Sequence, residues 1–165
     1  MVDVGTIRTT LHYSDWANDQ LLRAVGALTD VELDQPFDMG PGSLRRTLLH
    51  IWAGESVWFQ RWQGKAETPW PDESERVGIA ALAERFRDTW KRRTAWLDTL
   101  PNAKLAESVV YRDSKGSRFS TTLGDMMLQM CLHSHHHRAQ TVNMIRRLGA
   151  AAPELDYMYH TRRPV

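Results

Sequence analysis

The sequence predicts an all-α protein, a four-helix bundle with long connections and a small hairpin before the last helix. Three observations carry this expectation. Four segments of about twenty residues repeat apolar side chains at the helical period. Glycine, proline and capping residues separate them. Only one short stretch, between the third and fourth segments, has the look of paired strands.

The first segment covers residues 9–28, with Leu11, Ala17, Leu21, Leu22, Val25 and Leu28 on one broad face. Thr29 and Asp30 punctuate it, and a short helical turn fits before Pro36. The second covers residues 43–62, with Ser43 as N-cap behind the breaker Gly40-Pro41-Gly42. Leu44, Leu48, Leu49, Ile51, Trp52, Val57, Trp58 and Phe59 cover most of its circumference, so it is expected to be largely buried. A polar loop over residues 64–71 leads to the third helix, residues 77–100, striped by Ile79, Leu82, Phe86, Trp90 and Leu97 and stopped by Pro101. Residues 107–112 and 118–121 flank Asp113-Ser114-Lys115-Gly116 and read as a small hairpin or a structured loop. The fourth helix opens with Thr122 and Asp125 in a capping-box-like pair, runs to Leu148 and is closed by Gly149. The tail beyond it, with two prolines, reads as irregular. Such helices indicate an antiparallel-type bundle, although connections of this length leave the helix order open.

The chain of 165 residues suits a single domain over residues 1–165. Hydrophobic residues at 42% and charged residues at 25% supply a core and an ordinary soluble surface. A net charge of +1 provides no field to gather nucleic acid or an anionic membrane. The arginine pairs Arg45/Arg46, Arg92/Arg93, Arg146/Arg147 and Arg162/Arg163 are scattered among acids and read as solvated faces. One cysteine, Cys131, allows no internal disulfide and reads as an inert buried thiol. No signal-like N-terminus and no membrane-length apolar run occur, so a cytoplasmic location is expected. Among the seven tryptophans, Trp52, Trp58 and Trp62 are candidates for a surface patch, and a homodimer is expected.

The chemistry concentrates in the stretch from Cys131 to Gln140, which carries four histidines. At about 100° per residue, His133 and His137 share a face, while His135 and His136 point elsewhere. Residues four apart hold their Cβ atoms about 5–6 Å from each other, which lets two imidazoles converge on one metal at ~2.0–2.1 Å. Met126, Met130, Met144 and Leu148 fall on the same stripe, so the pair interrupts an apolar seam where unpartnered imidazoles are costly. An exposed or tag-like histidine cluster is the alternative, and the internal position on the core stripe argues against it. His50 is the other histidine in mid-helix among apolar neighbours, with the small residues Thr47 and Gly54 beside it. It is the expected third ligand. His12 and His160 read as surface residues, and Cys131 lies about 160° around the helix from His133. Three histidines leave at least one position on the ion open, where a water or a thiol is activated. No Glu-x-x-His pair, His-Glu-x-x-His motif, Gly-x-Ser-x-Gly elbow, Gly-rich phosphate loop or Cys-x-x-Cys is present.

Three motifs resemble the DinB-like family of small helical proteins, named after a DNA-damage-inducible gene. They are Tyr13-Ser-Asp-Trp16-Ala-Asn18-Asp-Gln-Leu21-Leu22, then Leu48-Leu49-His50-Ile-Trp, then His133-x-x-x-His137-Arg138-Ala139-Gln140. The resemblance spans nearly the whole chain, with one mild departure at Ala139, where the family often has glycine. It implies a four-helix bundle with a three-histidine site for zinc, nickel or a similar ion, held here by His50, His133 and His137. Relatives in that family include transferases and isomerases that use mycothiol or bacillithiol, so a low-molecular-weight thiol is an implied co-substrate. A fold shared by many activities does not by itself fix the reaction.

Two functional expectations follow. One is a metal-dependent enzyme that activates a thiol or water against a small electrophile, of thiol S-transferase or hydrolase type, with Asn18 and Gln140 orienting ligands or substrate. Met126, Met130, Met144 and Val57 are expected to give its site an apolar lining. The other is a non-catalytic metal-binding or stress-response protein whose ion is a structural staple.

Overall fold

The computed structural model describes residues 3–113 and 115–165, so Ser114 of the expected hairpin turn lies outside the described residues. Four long helices, α1 (Val4–Val25), α3 (Leu44–Trp62), α4 (Ile79–Leu97) and α5 (Leu123–Arg147), form the bundle. Two short ones, α2 (Asp30–Asp34) and α6 (Tyr157–Thr161), accompany them. A 3-10 turn (Asn102–Ala106) and the antiparallel hairpin β1 (Ser108–Arg112) and β2 (Arg118–Thr122) precede α5. Among the described residues, no helix is long and apolar enough to cross a membrane.

The start signals act as expected, with one extension. Ser43 caps α3 through the Arg46 amide, and Thr122 caps α5 through Asp125. Thr29 and Glu32 form a reciprocal capping box on α2. Helix α1 begins five residues before the expected Thr9, because Asp3 accepts from the Thr6 amide and brings Val4 and Ile7 onto the buried stripe. The tail is not wholly irregular. It folds back so that Tyr13 Oη donates to the Leu155 carbonyl at 2.6 Å, and His160 packs on Tyr13 and Trp16.

Helix order, open in the sequence, follows from the contacts. Helix α5 packs between α1 and α3, and α4 closes the ring on the other side. Asp15 meets Arg93, while Arg8 reaches the Leu97 carbonyl, so α1 and α4 are antiparallel. Thr47 meets Met144 and Ser134 meets Glu55, so α3 and α5 are antiparallel as well. The other two neighbouring pairs are parallel: the Arg45 guanidinium reaches the Val77 carbonyl, Glu55 meets Arg93, and Trp62 stacks near Trp96. The bundle is therefore up-down-down-up rather than antiparallel throughout. Two parallel neighbours need a connection that returns along the bundle, and residues 63–78 supply it between α3 and α4. That crossover runs over the outer face of α3.

The core divides into two apolar clusters. One gathers Leu21, Leu22, Val25, Leu44, Leu48, Leu82, Phe86 and Met144; the other gathers Ile7, Leu11, Phe59, Leu97, Met126, Met127 and Met130. Between them lies a buried polar layer. Glu55 accepts from Asn18 (2.7 Å), Ser134 (3.2 Å) and Arg93 (2.9 Å); Arg93 also bonds Asp15, and Arg138 donates to Ser14 at 2.7 Å. Two arginine pairs thus depart from the solvated reading, since Arg93 is fully buried in this layer and Arg45 is buried against Asp30 and Asp34. The tryptophan patch also dissolves. Trp62 is buried, Trp52 lies under the Arg85 guanidinium, and Trp58 under that of Arg61.

Candidate metal centre

Helices α3 and α5 bring the three predicted histidines together. His133 and His137 project from one turn of α5 toward His50 on α3, while His135 and His136 are exposed. One nitrogen from each of His50, His133 and His137 lies within 4.8 Å of the others. The close approach depends on Gly54, since a Cβ there would stand 2.9 Å from His133 Cε1. His50 Nε2 and His133 Nε2 are 3.1 Å apart. Two nitrogens bound tetrahedrally at ~2.0–2.1 Å are separated by about 3.3 Å, so the spacing fits a shared ion.

Hydrogen bonds fix which nitrogen faces the centre. A carboxylate only accepts, so His50 Nδ1 donates to Glu73 Oε1 at 2.5 Å and its Nε2 keeps a free lone pair. His137 Nδ1 donates to Gln140 Oε1 at 2.7 Å, which leaves Nε2 unprotonated in the same way. Gln140 is itself held, donating to His136 Nε2 at 3.1 Å and packed against Gly40, whose φ of 51° and missing Cβ make room for the amide. His133 Nδ1 is buried without a partner among the described residues. Burial, reinforced by the neighbouring imidazoles, pushes His133 down to about 4. Burial also lowers His137, partly opposed by its bond to Gln140. Protons thus leave His133 and His137 readily, as metal ligands require. Among the described residues, no cysteine, acid or further histidine joins the three.

The crossover covers the cluster. Trp70 Nε1 donates to Glu73 Oε1 at 2.5 Å, and the Trp70 ring lies 5.3 Å from that of His50. A cavity of about 740 Å³ opens beside His50, walled by Trp58, Trp70, Pro69, Tyr111 and Arg61. Its lining sets the rings of Trp58, Trp70 and Tyr111 among charged side chains, Arg61, Glu67, Arg112 and Asp113. The expected lining residues Val57, Met126, Met130 and Met144 are instead fully buried in the core. Of the two orienting candidates, Gln140 touches a histidine, whereas Asn18 belongs to the buried polar layer, bonded to Glu55 and Arg138. Sequence reasoning missed Glu73, which sits in a loop with no periodicity. The one available clue was general, namely that a ligating histidine usually donates its second nitrogen to a carboxylate or carbonyl. Cys131 is buried, and burial pushes its thiol up to about 12.

A comparison with curated proteins finds no match. Two solved structures are similar to this one. A DinB-like protein from Bacillus cereus ATCC 10987 is 20% identical, with a TM-score of 0.74 over 92% of this chain and 97% of that one. YfiT from Bacillus subtilis, described as a probable metal-dependent hydrolase with an unusual four-helix bundle topology, is 19% identical, with a TM-score of 0.72 over 92% of each chain. Both likenesses concern the fold. In sequence, residues 1–163 match the DinB family, and on a match of that length the chain belongs to the DinB family.

Proposed function

We propose that this chain is a metal-dependent enzyme in which His50, His133 and His137 hold one divalent ion, zinc or nickel, for attack on a small electrophile by water or a low-molecular-weight thiol. The observation that carries the reading is the convergence of three imidazoles, with no fourth protein donor among the described residues, beside a cavity that His50 lines. An all-nitrogen donor set suits zinc and nickel, and a three-ligand site keeps a position open for catalysis. The ion supplies Lewis acidity to the nucleophile and the electrophile that meet there.

The chain's own residues do the rest. Glu73 and Gln140 hold His50 and His137 in the tautomers that face the centre. Trp70 packs beside His50 and shares Glu73 with it. The one thiol of the chain is buried and held in its protonated form, so the attacking group comes from outside. The description of YfiT as a probable metal-dependent hydrolase supports water as that group, and the thiol-using relatives that the resemblance implies support a thiol. A cavity of about 740 Å³ with three aromatic rings in its wall supports a small organic substrate.

The test is a panel of activated esters and alkylating electrophiles, offered with water alone and with mycothiol, bacillithiol or glutathione. Metal-loaded wild type is expected to turn over at least one pair, and H137A none. Activity that survives in H137A overturns the metal mechanism. Unfolding of wild type on chelation, with no turnover across the panel, would favour the structural-staple reading instead.

A further inference from the structure

The cavity beside His50 does not end at the histidines. It continues along α3 past Trp58 to Arg61, which follows His50 by eleven positions, roughly 16 Å of helix. Arg61 is only 7% exposed. Its guanidinium lies 4.9 Å from the ring centre of Trp58 and 5.4 Å from that of Tyr111. Nη2 donates to the Arg112 carbonyl at 2.8 Å, while Nε is buried with no partner. Among the described residues, no carboxylate stands within ion-pair distance of it.

The other buried arginines have side-chain acceptors for their terminal nitrogens, although Nε of Arg93 and Arg138 is unpartnered too. Arg45 has Asp30 and Asp34, Arg93 has Asp15 and Glu55, and Arg138 has Ser14 and Asn18 as acceptors with Glu55 close behind. The acids that share the cavity with Arg61 are engaged elsewhere. Glu67 accepts from Arg112 at 2.8 Å, and Asp113 accepts from the amides of Lys115 and Ser117 in the hairpin turn. Asp113 acts on Arg61 only from beyond ion-pair distance; a buried cation without a paired counter-charge is costly to keep, and a guanidinium edge is shaped for a carboxylate. Stacking on two rings holds that edge in a fixed direction.

We propose that Arg61 is the binding point for a carboxylate on the substrate, whose electrophilic end reaches the histidine cluster and whose flat or aliphatic middle lies on Trp58, Trp70 and Tyr111. The electrophilic end rests on the metal-enzyme reading; the carboxylate end does not. The span from His50 to Arg61 selects a derivative of an aryl or medium-chain acid over a short one.

The probe is 4-phenylbutyrate against its neutral counterpart 4-phenylbutanamide, titrated into metal-loaded full-length protein and followed by calorimetry. Wild type is expected to bind the acid about tenfold or more tightly than the amide, the effect of a charge-assisted hydrogen bond. R61M removes a buried unpaired cation, so it is expected to fold, to keep its metal and to bind both compounds alike. R61Q is expected to lose the preference in the same way. Any acid that binds the ion contributes equally to wild type and variants, so their difference isolates Arg61. Equal binding of acid and amide by wild type, or a preference unchanged in R61M, overturns the proposal. Metal content measured on the same samples separates the two readings. Absence of metal from wild type sinks the enzyme reading, while an Arg61-dependent preference for the acid would still stand.

Discussion

His133 is the histidine whose charge state the fold controls most strongly. Its imidazole is packed against Gly54 and faces His50 and His137, so burial and like charge both resist protonation and its pKa falls to about 4. An unfolded chain binds that proton near pH 6.5. Between about pH 6.5 and 4 the unfolded state therefore carries more protons than the folded one, and folding stability drops as pH falls through that window. Above it the contribution is constant. Asp15, raised to about 7 by burial, acts in the opposite sense in both proteins, so the expectation is a comparison: between pH 7 and pH 5 the urea midpoint of metal-free wild type loses ground against that of H133Q. Equal slopes in the two proteins would mean that His133 is not held neutral. The histidine pair was legible in the sequence because a spacing of four places both rings on the stripe of α5 with Met126 and Met130. His50 was legible because a mid-helix histidine among Leu48, Leu49 and Ile51 has to be satisfied by something.

At the scale of elements, the decisive piece is the crossover between α3 and α4. It carries Trp70 and Glu73 over His50 because two parallel neighbours must be joined by chain that returns the length of the bundle. The sequence showed a polar loop over residues 64–71, which holds Trp70 and stops short of Glu73. An apolar stripe says that a helix buries a face and not against which neighbour, so neither the helix order nor the loop's path was readable. Glu73 acts on the site through His50, and such supporting carboxylates are worth about 10–100-fold in metal affinity. E73Q is expected to weaken metal binding by that order, measured by competition with a chelating dye, with its helical circular dichroism unchanged. Affinity equal to wild type would show that the Glu73 bond does not tune the centre.

Across the whole molecule, charges sit where apolar residues are the rule. Asn18 falls between Leu11 and Leu21 on the stripe of α1, Glu55 between Leu48 and Phe59 on that of α3, and Arg93 between Phe86 and Leu97 on that of α4. All three lie at one level of the bundle and bond across it. The pattern was present in the sequence, but each interruption taken alone resembles a polar edge. Their common level appears only when the helices are aligned. Removing one member strands the others, at a cost of roughly 3–5 kcal/mol for a broken buried ion pair. E55A is expected to lose stability of that order in denaturant unfolding. A loss below about 1 kcal/mol would mean that water or rearrangement takes the place of the carboxylate.

The account turns on one ion held by three particular histidines, and metal content per chain tests it most directly. Protein purified without a histidine tag, loaded with zinc or nickel and desalted, is to be measured by elemental mass spectrometry as wild type, H50A, H133A, H137A and the double variant H135A/H136A. The predicted result is close to one ion per chain for wild type and for H135A/H136A, near zero for H133A and H137A, and a strongly reduced value for H50A. A wild type without metal, or loss of the ion in H135A/H136A while H133A keeps it, would contradict the account at its centre.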